Sequence, residues 1–112
     1  MSEILLTKDA ERLLALMYRA YLNRRKDGKD KLTAKQMGGF SQIHKELLPN
    51  ENPLDVLETC RELGRSGYLR SFWASNTIIS SQLTDETIIY MENRFKNGLK
   101  DVLDFLSQFV PW

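Results

Sequence analysis

The sequence predicts a mainly helical single domain that carries one small antiparallel hairpin. Apolar residues recur at spacings of three and four through several stretches, whereas residues 68–83 hold clustered aromatic and β-branched side chains around Ala74-Ser75-Asn76. Helix boundaries are also written into the chain, as a start at Asn52-Pro53 and a stop at Gly67. A chain of 112 residues, 42% of them hydrophobic, can bury most of its apolar surface in one core.

The first helix is expected from about Thr7 to Arg24, with Ala10, Leu13, Leu14, Met17, Tyr18 and Tyr21 on its buried side. Thr7 suits the N-cap, Asp9 and Glu11 the first turns, and Arg24, Arg25 and Lys26 the negative end of the helix dipole. Asp27-Gly28 breaks it. Residues 23–31 carry five basic side chains against two acids and read as a solvated loop rather than a phosphate patch. Near Leu32 a short strand or a turn of helix is expected, and Lys31–Thr33 is assigned to a sheet with the hairpin arms. Thr33 and Gln36 have the spacing of a capping box, but Gly38-Gly39 soon interrupts it.

A short helix follows from about Phe40 to Leu48, burying Phe40, Ile43, Leu47 and Leu48, with Pro49-Asn50 as its end. Asn52 then caps a helix with proline at its first position and the apolar row Val56, Leu57, Cys60, Leu63. Tyr68, Leu69, Phe72 and Trp73 form one hairpin arm, and Thr77, Ile78 and Ile79 the other. Asp85 and Glu86 open a final helix predicted to reach Phe109. Its apolar surface is too broad for one contact. Leu99, Val102, Leu103, Leu106, Phe109 and Val110 need a cover, for which a second copy of the chain is the first choice and the first helix of the same chain the alternative.

Composition excludes several classes of function. Charged residues make up 28% but cancel to net +1, so any attraction to polyanions must be local. Glu3, Lys8 and Asp9 argue against a signal peptide, and no apolar run has the length of a membrane span. A soluble cytoplasmic protein is expected. One His and one Cys, His44 and Cys60, are too few for a metal site, and Cys60 lies in the core row of its helix. Gly38-Gly39 lacks the Lys-Ser/Thr or third glycine of a phosphate loop. No enzyme and no cofactor are expected.

LETCRELGRSGYLR resembles the third helix and strand entry of winged-helix proteins. QLTDETIIYMENRF is similar to the exit of the wing in small bacterial and phage members, with Thr87 standing where a glycine recurs. The resemblance covers about Thr7 to Phe95, with a core of about residues 7–83. A C-terminal dimerisation helix, about residues 85–109, is similar to the layout of PadR-like regulators. This resemblance implies a homodimeric transcriptional regulator that sets its third helix in the DNA major groove and its wing against phosphate or the minor groove. The residues then expected at double-stranded DNA are Gln42, Lys45, Asn52, Thr59, Arg61, Arg65 and Arg70, and those expected at the dimer interface are Leu99, Val102, Leu103, Leu106 and Phe109. Against this, residues 52–66 hold two arginines and three acids, a poor match to phosphate. The alternative is a winged-helix module, without DNA binding, that meets another protein through Phe72, Trp73 and the acidic third helix.

Overall fold

The computed structural model describes residues 5–109. Its elements are α1 (Lys8–Lys26), α2 (Lys31–Lys35), α3 (Phe40–Leu47), α4 (Pro53–Arg65), β1 (Leu69–Ala74), β2 (Thr77–Leu83), α5 (Asp85–Arg94) and α6 (Leu99–Leu106), the last followed by a 3-10 turn, Ser107–Phe109. The fold class is as expected, mainly helix with a two-stranded antiparallel sheet.

α1 is the central element. Thr7 caps it by accepting from the Ala10 N–H at 3.2 Å. The Glu62 carboxylate accepts from both the Thr7 N–H and its hydroxyl at 2.8 Å, which ties the start of α1 to α4. Every residue from Leu13 to Tyr18 is buried, so the helix is covered around its whole circumference. Burial pushes the Tyr18 phenol up to about 12.

Of the two forms expected near Leu32 the helix is found, as α2, and Lys31–Thr33 is not part of the sheet. Asp30 caps it, accepting from the Thr33 N–H at 2.7 Å, and that backbone bond holds the Asp30 carboxyl below its usual value. Arg24 closes the other end by donating to the carbonyls of Ala34 and Gln36. Part of the basic 23–31 segment is thus a structural clamp. What is left of a third strand is one bridge, Gln36 to Gln82, beside which the Met37 N–H donates to Ser81 O at 2.9 Å.

α4 begins as expected. Asn52 Oδ1 accepts from the N–H groups of Leu54 and Asp55 at 2.8 and 3.3 Å, with Pro53 in the first turn. Its end is a Schellman turn, in which the N–H of Tyr68 reaches Leu63 O and that of Gly67 reaches Gly64 O, with Gly67 at φ +82. That turn delivers the chain directly into β1. The hairpin pairs Leu69 with Leu83 and ends in a two-residue turn, Ser75-Asn76, with φ of 53 and 66. A bulge between Phe72 and Trp73 shifts the register.

Thr87 explains itself in this context. It is fully buried, and its hydroxyl donates to Tyr68 O, while the Thr84 hydroxyl donates to Gly67 O at 2.8 Å and caps α5. Two threonines therefore pin the backbone that leaves α4 to the helix that follows the hairpin.

The single C-terminal helix expected over 85–109 is two helices. α5 ends at Arg94 with Phe95 as its C-cap, and Gly98 takes φ +63, a conformation open to glycine; the Asp101 carboxylate then accepts from the Asn97 N–H at 3.0 Å. This turn folds α6 back against α1. Val102 is fully buried in the chain's own core, which removes it from the expected dimer interface. Phe105 packs on Phe95 and Phe109, with ring centroids 5.6 and 5.3 Å apart, and the Arg12 guanidinium covers Phe109 at 5.7 Å. The alternative cover, the first helix, thus takes one apolar row. Leu99 and Leu106 are half-buried and Leu103 is 46% exposed. Val110 lies outside the described residues.

Candidate nucleic-acid interface

Because the Schellman turn runs α4 straight into β1, the last turns of the helix and the first arm of the hairpin face each other across an open groove of about 530 Å³. It is lined by Arg61, Gly64, Arg65, Leu69, Arg70, Ser71 and Trp73. Arg61 and Arg65 are four residues apart and share a face of α4, near the helix end where positive charge is favoured. Arg61 lies over Trp73, its guanidinium carbon 4.4 Å from the ring centroid, and this contact orients the cation. Its Nε is 3.9 Å from Glu58 Oε1, while Arg65 Nη2 is 3.4 Å from Glu58 Oε2.

Arg70 completes the groove from β1. It is exposed and stands opposite Gln82, whose Oε1 is engaged by Gln36 at 2.8 Å. Beyond it lies Asp85, held below the usual carboxylate range first by its hydrogen bond from Lys35 at 2.9 Å and then by nearby Lys31 and Arg70. Two arginines of α4 and one of β1 therefore line one groove of a chain whose overall charge is only +1. Such a cluster supplies forked donors for phosphate oxygens.

The remaining expected DNA residues divide by what already occupies them. Asn52 spends its side-chain oxygen on the α4 cap, and the Thr59 hydroxyl donates to Asp55 O at 2.9 Å. Gln42 and Lys45 are exposed on α3 and outside the groove lining, with the Gln42 side chain folded over Gly38. Trp73 was legible as an interface anchor but not as the platform under Arg61. That role needs β1 to lie across α4. Glu58 is one of the three acids that weigh against phosphate in residues 52–66, although its offsets of three and seven from Arg61 and Arg65 place the three on one helix face.

Burial pushes the Cys60 thiol up to about 12, so it is neutral and unreactive in the core. His44 is stacked on Phe40 at 5.9 Å, with Nε2 2.8 Å from Glu51 O, joining α3 to the turn before α4. Among the described residues no helix is long and apolar enough to cross a membrane. No family model matches this chain, and neither a curated protein nor a solved structure matches it.

Proposed function

We propose that the chain is a winged-helix DNA-binding protein, a cytoplasmic transcriptional regulator of the small bacterial or phage type, with α4 directed at the major groove and β1–β2 as its wing. The observation that carries this reading is the groove between those two elements, whose lining includes Arg61, Arg65 and Arg70. The element order supports it as well: α1 and the short α2, a bridge at Gln36, then α3, α4, the hairpin and the helices α5 and α6. Arg65 and Arg70, both exposed, offer donors to two phosphates, and Arg61, held by Trp73, is preset for a third. Self-association through Leu103, with half-buried Leu99 and Leu106 beside it, belongs to the same reading and would space two copies of α4 for a palindromic site.

Fluorescence anisotropy with a random-sequence duplex over a salt series tests this. Three phosphate contacts give a log–log salt slope of roughly −2.7, and Arg61→Ala/Arg65→Ala/Arg70→Ala flattens it. No anisotropy change for the wild type at low salt rejects the reading. Sedimentation equilibrium at tens of micromolar tests the dimer, which a well-folded monomer excludes.

A second reading is favoured by a different observation. Phe72 and Ile79 are 63% and 52% exposed beside the bulge of the hairpin, and Leu54 is 75% exposed on the first turn of α4. These suit a protein partner better than phosphate. On that reading duplex binding is absent at low salt, and Phe72→Ala is the substitution that weakens the partner complex.

A further inference from the structure

We infer that Glu58 is an internal counter-ion of the arginine groove, occupying the place of a nucleic-acid phosphate and lowering affinity for any duplex that does not displace it. This rests on the DNA-binding reading and assigns a regulator of that same site. Glu58 presents one carboxylate oxygen to each of two arginines, Oε1 to Arg61 at 3.9 Å and Oε2 to Arg65 at 3.4 Å. Two non-bridging phosphate oxygens address a pair of guanidinium groups in the same manner. The contacts are longer than good hydrogen bonds, and the three side chains are 65%, 41% and 63% exposed, so exchange is cheap.

Arg61 does not depend on Glu58 for its position. The indole of Trp73 lies 4.4 Å away and keeps the guanidinium in the groove once the carboxylate leaves. Among the described residues Arg65 has no such platform, so it is the cation that exchange sets free. An incoming phosphate therefore meets a preset Arg61, a releasable Arg65 and a carboxylate that repels it until it swings out. Backbone contact alone is penalised, and a duplex that also makes base contacts can offset the penalty.

The test is a double-mutant cycle read by anisotropy with a fluorescein-labelled random duplex, using the full chain. Glu58→Gln should bind about three- to tenfold more tightly at low salt, with a steeper salt slope. Glu92→Gln makes the same charge change at an exposed position on α5 beside Tyr18 and should leave affinity unchanged. In an Arg61→Ala/Arg65→Ala background, Glu58→Gln should gain less than about twofold, because the carboxylate then has nothing to neutralise. An equal gain in both backgrounds, or in Glu92→Gln, overturns it in favour of net charge. Wild-type binding with an unchanged or weaker Glu58→Gln overturns it too, while DNA binding itself stands. Loss of binding in wild type and Glu58→Gln alike removes the DNA reading and this inference together.

Discussion

Two glycine-to-alanine substitutions should move stability in opposite directions, because their surroundings differ by less than one ångström. At Gly39, which opens α3 with φ −82 and ψ 176, alanine meets no backbone strain. Its Cβ, however, would lie 3.0 Å from Ile79 O and 3.2 Å from Ile78 O, and both belong to the backbone of β2. Neither oxygen can rotate away, so α3 must lift from the sheet. Overpacking of this kind costs about 1–3 kcal/mol, offset by about 0.4–1 kcal/mol from the stiffer unfolded chain. Gly39→Ala should therefore lose about 1–2 kcal/mol. At Gly64, within α4, the new Cβ would sit 3.7 Å from Leu69 O, an ordinary contact. There alanine gains helix propensity of up to about 1 kcal/mol, and net stabilisation of about 0.5–1 kcal/mol is expected. Urea denaturation followed by circular dichroism measures both, and thermal midpoints should shift by about 4–8 °C per kcal/mol. A Gly39→Ala protein more stable than wild type would refute the close approach of α3 to β2. A Gly64→Ala protein destabilised by more than about 1 kcal/mol would refute the open contact at the groove.

Thr87→Val should cost about 1–2 kcal/mol by removing the buried hydroxyl that donates to Tyr68 O, whereas Thr87→Ser should recover most of it in the same urea titration. Cys60 should resist Ellman's reagent at neutral pH until urea unfolds the chain. Since its folded value of about 12 is raised above 9.0, the stability linked to the thiol is fully present below pH 9 and lost as pH rises from there toward 12, which alkaline denaturation curves can follow. Val102→Asp should unfold the chain because it places an unpaired charge in the core, while Leu103→Asp, one residue on and 46% exposed, should keep the wild-type melting curve to within about 1 kcal/mol. Circular dichroism separates the two at once.

Local chemistry was enough to place most elements of this chain. The period of α1, the Asn52-Pro53 start of α4, the Gly67 stop and the β-rich arms each depend on side chains acting on their own backbone, so the sequence determined them alone. Asn97-Gly98 was an equally local signal for the break between α5 and α6, outweighed by the apolar periodicity on both sides of it. Residues 31–35 differ in kind. Their helix is closed by Arg24, and a carbonyl in need of a donor cannot reveal which distant arginine will supply it. The same holds for α6, whose two apolar rows could be sorted only by the surface they met: Val102 found α1, and Leu103 faced outward. The arginine groove is a tertiary object as well. Arg61 and Arg65 were visible on one helical face, but Trp73 and Arg70 come from a strand, and only the Schellman turn at Gly67 sets the angle that brings the indole under the guanidinium.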